Sequence, residues 1–272
     1  MDLVPYFRRI GFHGPAQASL DTLAELHRRH QAAIPFENLD VLLERPGRLD
    51  LEGLQAKLVT GGRGGYCFEH NTLFAAVLRE LGFAVQTLEA RVRPPGVDVL
   101  LGRTHGVLQV DLDGRPWLAD VGFGGDGILG PVPLSLDPGA RMRAPGDGAE
   151  LERHGARHRV APEGSLRVLQ AWAGAGWQDV YAIGPDPVHP IDWAVANHYT
   201  STHPDSIFRR TLTVQDAAPG LRRILRGRTY SEIRNGAVQS RELRDGEILP
   251  LLAEGFGLRL PEGFRLRDDW TR

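Results

Sequence analysis

"GGRGGYCFEHN", residues 61–71, carries the only cysteine of a 272-residue chain, Cys67. After it, Phe68, Leu73, Phe74, Val77, Leu78 and Leu81 recur at the spacing of an amphipathic helix, and Gly82 supplies its stop. The cysteine falls in the first turn of that helix, where unpaired backbone N–H groups and the helix dipole favour negative charge, a setting that suits a nucleophile. Position alone also admits the other role of a free cysteine, that of a small buried hydrophobe. One cysteine makes no intrachain disulfide and no cysteine-based zinc cluster, so packing and reactivity are the two roles open. The glycines let the preceding loop bend sharply, and Arg63 within it is placed to anchor the loop or a nearby carboxylate.

Upstream, "SLDTLAELHRRH" (19–30) reads as a helix capped by Ser19 and ending before Pro35, and "DLEGLQAKLV" (50–59) as a second, with Asp50 as cap and Leu51, Leu54 and Leu58 on one face. From Phe83 the period shifts toward two, through "FAVQTLEARV", "HGVLQVDL", "RPWLADVGF", "SLRVLQAW" and "WQDVYAI". Strands joined by short turns predict a small barrel or sandwich. The stretch from about Gly139 to Gly164, rich in Arg, Gly and Pro, predicts a long surface excursion. After Pro190 the signals mix: "IDWAVANHYTSTHP" reads as a helix, "SIFRRTLTV" as a strand and "DGEILPLLAEGFG" as a short helix with a glycine stop.

A partner for the thiol emerges from one turn. If Asp113-Gly114 closes a two-residue hairpin, Leu112 faces Arg115 and Val107 faces Asp120. His105 shares the face of Val107, which makes His105 and Asp120 diagonal neighbours, roughly 7–8 Å apart at the backbone. The opposite face carries Leu108, Val110, Leu112, Trp117, Ala119 and Val121 and is read as the core, leaving His105, Gln109, Asp111 and Asp120 turned toward a cleft. A carboxylate that holds one ring nitrogen fixes the imidazole tautomer and leaves the other to take a proton from a thiol. Spacing alone equally allows a solvated surface pair.

Composition narrows the rest. Hydrophobic residues at 42% and charged residues at 24% describe a chain that folds by burial. A formal net charge of −2 gives no general attraction to nucleic acid or to anionic membranes. With no basic leader and no apolar run near the ~18 residues of a membrane span, the expected location is cytoplasmic. Lys57 is the only lysine, so Schiff-base chemistry would rest on that residue. "GFGGDG" (122–127) fails as a dinucleotide fingerprint because Pro131 and Pro133 preclude a following helix. "LRRILRGR" (221–228) reads as a solvated basic face, with CoA phosphates as its other use. His154 and His158 have ligand spacing only on a helix, which Gly155 opposes, and no metal site is expected.

Five segments, "IPFENLD" (34–40), "RGGYCFEHN" (63–71), "THGVLQV" (104–110), "LADVGFGG" (118–125) and "NHYTSTHPDSIFRR" (197–210), together resemble the arylamine N-acetyltransferase family in order and spacing. The resemblance implies an α+β fold in three sections: a helical bundle (1–84), a β-barrel (85–190) and an α/β lid (191–272), with a cysteine-protease-like Cys-His-Asp site. It implies Cys67 as the acyl-accepting nucleophile, His105 as its base and Asp120 as the residue orienting the ring. Acetyl-CoA would be the donor, an aromatic amine or hydrazine the acceptor, with no permanently bound cofactor and a monomer or weak homo-oligomer as the working form. Phe36 and Phe123 match aromatic residues bordering the family's acceptor pocket, although "IPFENL" also reads as a turn that packs Phe36 between helices. Gly124 belongs to a loop permissive enough to lie against the acyl group. Two other chemistries fit the same three residues: a macrolactam-forming amide synthase of the same family and a Cys-His-Asp hydrolase.

Overall fold

Side-chain caps start three helices of the first third, at Asp2, Ser19 and Asp50. The computed structural model describes residues 1–45, 47–97, 99–125, 127–134, 150–153, 156–260 and 262–271. Helix α1 (Leu3–Ile10) begins at Asp2, whose carboxylate accepts from the Val4 N–H at 3.0 Å, and closes at Gly11 in the left-handed region. Helix α2 (Leu20–Ala33) begins at Ser19, whose Oγ accepts from the Thr22 N–H at 3.2 Å. A short α3 (Leu39–Leu42) follows. Helix α4 (Leu51–Leu54), capped by Asp50 through the Gly53 N–H at 2.9 Å, widens into a π-helical turn over Gln55–Thr60. Helix α5 (Cys67–Glu80) runs through the middle of this section with Phe68, Leu73, Phe74, Val77 and Leu78 buried.

Two details differ from the sequence reading. No helix is expected ahead of Ser19, yet α1 forms there and buries Tyr6 and Ile10 against the bundle. Leu51, in the first turn of α4, stays 40% exposed while Leu54 and Leu58 are buried, so the expected three-leucine face is a two-leucine one.

Among the described residues the strands, in chain order, are β1 (Phe36–Glu37), β2 (Ala84–Val92), β3 (His105–Leu112), β4 (Arg115–Ala119), β5 (Val132–Pro133), β6 (Glu150–Arg153), β7 (Ala156–Glu163), β8 (Leu166–Trp172), β9 (Trp177–Pro187), β10 (Thr213–Ala218), β11 (Leu221–Arg226), β12 (Thr229–Arg234) and β13 (Ala237–Glu242). Eight of them form an antiparallel sheet in the order β5-β4-β3-β2-β9-β8-β7-β6, which curls into a nearly closed barrel with β5 beside β7. Helix α6 (Pro190–Thr202) leads from the barrel to a second sheet, ordered β1-β10-β11-β12-β13, and α7 (Ile248–Pro250) packs near its end. The chain is thus α+β. Its second sheet is not purely C-terminal, because Phe36 and Glu37 of β1 pair with Gln215 and Val214 of β10.

The predicted excursion from Gly139 to Gly164 is corrected in part: β6 and β7 occupy 150–153 and 156–163, and the inward alternation of His158 and Val160 explains why this segment pairs. Residues 135–149, with His154 and Asp126, lie outside the described residues. "SIFRRTLTV" is also not one strand. Ile207–Arg209 is a 3₁₀ turn, and the strand begins at Thr213. Asn38 imposes the break: its Nδ2 donates to the carbonyls of Phe208 (2.7 Å) and Thr211 (2.8 Å), and its Oδ1 accepts from the Thr213 N–H (2.8 Å).

The hairpin turns as its Asp-Gly pair requires. Asp113 and Gly114 both have positive φ, and Leu112 faces Arg115, Val110 faces Trp117 and Leu108 faces Ala119. One expectation about it holds only in part: His105 borders a cleft, but the rest of its face does not. The face of His105, Val107 and Leu118 is not open; it is the barrel interior, where Val107 and Leu118 pack with Leu88, Leu169 and Ile183. The other face, with Leu108, Val110, Ala119 and Val121, packs on α5. A strand pair buried on both sides needs polar residues only where they meet one another, and a solvated His105–Asp120 pair is excluded, since the two side chains are 3% and 0% exposed.

Candidate active site

The loop ahead of α5 is held by charge. Arg63 donates from Nε to Glu37 at 2.8 Å and pairs with Asp40 at 3.1 Å, while Lys57, in the π-helical turn, bridges Asp40 (2.8 Å) and Glu69 (2.7 Å). Burial disfavours both cations, yet the carboxylates outweigh it and raise the pKa of Lys57 and of Arg63. Glu69 in turn accepts from the Tyr66 N–H at 3.1 Å, which fixes the first turn of α5. Cys67, the first residue of the helix, is 4% exposed, and its Sγ lies 3.7 Å from the Thr104 carbonyl oxygen.

His105 opens β3 and Asp120 follows β4, so the barrel's rim places both beside the start of α5. His105 Nε2 is 2.7 Å from Asp120 Oδ2, which leaves Nδ1 as the ring's other nitrogen, and the Cys67 sulfur is close enough to raise the ring's proton affinity. Burial opposes a charged imidazole here. The Asp120 carboxylate and the sulfur overcome that penalty and raise the pKa of His105 to about 10.

Asp120 is saturated with donors. Oδ1 accepts from Asn71 Nδ2 and from the Gly122 N–H, each at 2.9 Å, and Oδ2 accepts from His105 and from the Tyr181 hydroxyl at 2.9 Å. Burial would raise its pKa, but His105 and the hydrogen bonds bring it down to about 2, so the carboxylate keeps its charge inside the protein. Its own backbone N–H donates to His27 Nε2 at 3.2 Å.

Asn71 and Tyr181 were not anticipated. Asn71 stands four residues after Cys67 on the same helix face, a polar residue interrupting an apolar stripe, and that was its available signal. It donates to the Gly106 carbonyl (2.7 Å) as well as to Asp120, and accepts from the Val121 N–H (3.1 Å). Tyr181 comes from β9, 61 residues from Asp120, and only the closed sheet brings it inside. Gly122 completes the fit: a Cβ there would lie 2.8 Å from the backbone of Cys67.

Beside Cys67 and His105 opens a cleft of about 1320 Å³ that Phe36, Phe123 and the face of the second sheet also line. Phe123 sits with its ring centroid 5.1 Å from His105 and 5.2 Å from Tyr181. Phe36 is 6% exposed in the helical core and also borders the cleft, beside Phe208 at 5.8 Å. Gly124 does not border the cleft. At φ +70° it turns toward the second sheet, where a Cβ would meet Gln215 Oε1 at 2.7 Å, and Gly122, Phe123 and Gly125 are the residues of that loop that face the opening.

Behind α5 runs a buried chain whose direction can be deduced. The Pro35 carbonyl only accepts, so His70 Nε2 carries the hydrogen of their 3.1 Å contact; His70 Nδ1 then accepts from His30 Nε2 at 2.8 Å, and His30 Nδ1 from the Tyr6 hydroxyl at 2.9 Å. Both rings are neutral. Burial holds His30 well below the usual range, and burial, against the carbonyls of Pro35 and Gly65, takes His70 down to about 4. Among the described residues no cluster of His, Cys, Asp and Glu is arranged to hold a metal ion, and no helix is long and apolar enough to cross a membrane.

Comparison with known proteins gives the family of the chain and relatives of its fold. A family model described as N-acetyltransferase matches residues 19–265. The chain is 38% identical over 256 residues to the arylamine N-acetyltransferase of Escherichia coli, covering 93% of this chain and 87% of that one. It is 39% identical over 267 residues to the arylamine N-acetyltransferase of Mycolicibacterium smegmatis, covering 96% and 93%. Among solved structures it is similar to the M. smegmatis enzyme (TM-score 0.87, 37% identity, 95% and 93% covered) and to the Mycobacterium marinum arylamine N-acetyltransferase in complex with CoA (TM-score 0.85, 35% identity, 94% and 93% covered).

Proposed function

The chain belongs to the arylamine N-acetyltransferase family, and we propose that it moves an acetyl group from acetyl-CoA to arylamines and arylhydrazines through a covalent acetyl-Cys67. The observation that carries this reading is the buried line Cys67–His105–Asp120 opening on a cleft, with the carboxylate charged and its four donors fixed.

In the first half-reaction, His105 Nδ1 takes the Cys67 proton as the sulfur attacks the acetyl carbon of acetyl-CoA. The bond from that carbon to the CoA sulfur breaks, and the leaving thiolate receives the ring's proton. Asp120 balances the imidazolium throughout and holds the ring in one tautomer. In the second half-reaction the amine nitrogen attacks the acetyl-cysteine, His105 takes the amine proton, and the carbon–sulfur bond to Cys67 breaks to release the amide and regenerate the thiol.

The two half-reactions ask one base to take its proton from different donors, first a thiol and then a weakly basic amine. The Cys67 sulfur is among the groups that raise the ring's proton affinity. Acetylation masks that sulfur, which lowers the affinity of the ring at the stage where it must accept from a weakly basic amine and then release the proton.

The experiment is intact-protein mass spectrometry after mixing with acetyl-CoA and then with an arylamine. A single acetyl adduct on Cys67 that the amine discharges is expected. No adduct, or one that survives Cys67→Ala, removes the mechanism.

A further inference from the structure

The cleft is larger than the roughly 300–1,000 Å³ that one small ligand fills, and its far wall is the cleft-facing side of the second sheet. Residues directly opposite in an antiparallel pair share a face. Register therefore sorts that wall into rows: Phe36, Gln215 and Ile224 form one, and Thr213, Arg226 and Thr229 form the next. All six border the cleft. Arg226 stands two strands across and one side-chain repeat along from Phe36, roughly 12 Å away at the backbone.

Its charge sets it apart. The other arginines at this mouth are already engaged: Arg93 pairs with Glu163 (2.6 Å) and Asp179 (2.8 Å), and Arg228 with Asp245 (2.6 Å). Neighbours on the same strand are engaged too, Arg222 through the Gly127 carbonyl at 2.6 Å and Arg223 with Asp216. Arg226 is exposed to the cleft and makes no ion pair or side-chain hydrogen bond among the described residues. The carboxylate in its row, Glu242, lies beyond Thr229 and accepts from the Thr229 hydroxyl at 2.6 Å.

A guanidinium left unpaired at the end of a deep cleft offers its fork to an anion, and phosphate matches that fork in geometry and charge. The donor in the proposed reaction carries its phosphates at one end and its thioester at the other, joined by the pantetheine arm. We propose that Arg226 anchors a phosphate of CoA while the thioester reaches Cys67, an assignment that rests on the acetyl transfer proposed above. The Thr213 and Thr229 hydroxyls flank Arg226 in its row, and the neighbouring row mixes Phe36 and Ile224 with the polar Gln215. The basic stretch 221–228 accordingly divides its arginines between holding the sheet together and meeting the donor, rather than forming one solvated face.

The test compares two donors that share a thioester and differ in phosphate, acetyl-CoA and S-acetyl-pantetheine, on the wild type and Arg226→Gln. The expected result is a KM for acetyl-CoA raised roughly 10- to 100-fold, the scale of a lost charge-assisted hydrogen bond. Turnover at saturation should be little changed, S-acetyl-pantetheine should react equally well with both proteins, and Arg226→Lys should recover part of the loss. An unchanged KM for acetyl-CoA, or an equal loss with both donors, overturns the anchor. Failure of the wild type to form an acetyl adduct with either donor overturns the acetyl-transfer reading instead.

Discussion

Asn71 and Asp120 are joined by a 2.9 Å hydrogen bond from Nδ2 to Oδ1, and through it the helix that carries the thiol is tied to the carboxylate that follows β4. The same amide bridges Gly106 and Val121, so three groups on the barrel rim depend on one side chain. Asn71→Ala removes the side-chain partner of the Val121 N–H and the Gly106 carbonyl and one of the four donors to Asp120 inside the protein. The expected cost is about 2–4 kcal/mol of unfolding free energy in urea titration, with acetylation slowed at least tenfold. Wild-type stability in this variant would contradict the bridging role.

Asp120→Asn should be more damaging to chemistry than to shape. An amide in place of the carboxylate removes the charge that holds the imidazolium and favours the wrong tautomer, lowering the single-turnover acetylation rate by roughly 10³–10⁴. Because an asparagine NH₂ would also face donors that now point at an acceptor, a loss of stability is expected beside it. Near-normal acetylation would take Asp120 out of the mechanism.

Acetylation should change the base. With the sulfur masked, one of the contributions raising the proton affinity of His105 is gone. An NMR titration of the His105 ring should give a lower pKa in the acetyl-enzyme than in the free enzyme, and the rate of amine discharge should level off at a lower pH than that of acetyl uptake. An equal or higher value in the acetyl-enzyme excludes the proposed division between half-reactions.

Stability should fall in mild acid. His30 and His70 are held neutral when folded, with pKa values below the ordinary 6.5, so the unfolded chain binds protons that the folded one refuses. Their contribution is complete above about pH 6.5 and declines as pH falls toward 4, with a slope of up to roughly 1.4 kcal/mol per pH unit for each ring. Urea midpoints at pH 7, 6 and 5 measure it. His70→Asn should flatten the slope, and a slope unaffected by that change would assign acid sensitivity elsewhere.

Much of the site was legible because local chemistry wrote it. Asp113-Gly114 admits few turns, and the pairing it imposes brings His105 close to Asp120. Caps at Ser19 and Asp50 marked helices directly. Asp2 and Gly11 flank α1 in the same manner, with Leu3, Phe7 and Ile10 at helical spacing, but its eight residues span little more than two turns and include Pro5. The barrel interior was illegible for a different reason. Alternation separates two faces of a strand without saying what covers either, so a face holding His105, Gln109 and Asp111 looked open when its first half is enclosed. Tyr181 illustrates the limit, since its reach to Asp120 depends on closure of a sheet and on no local pattern.

The pairing of Phe36 with Gln215, and the Asn38 bond to Thr213 across 175 residues, also set an order in time. Cys67, His105 and Asp120 all lie in the first 120 residues, whereas the second sheet cannot close over them until residue 215 has been synthesised. At ~5–20 residues per second that interval is roughly 5–20 s. During it the nascent chain carries Cys67 with one wall of the cleft still unmade, and the thiol is older than the pocket that comes to enclose it.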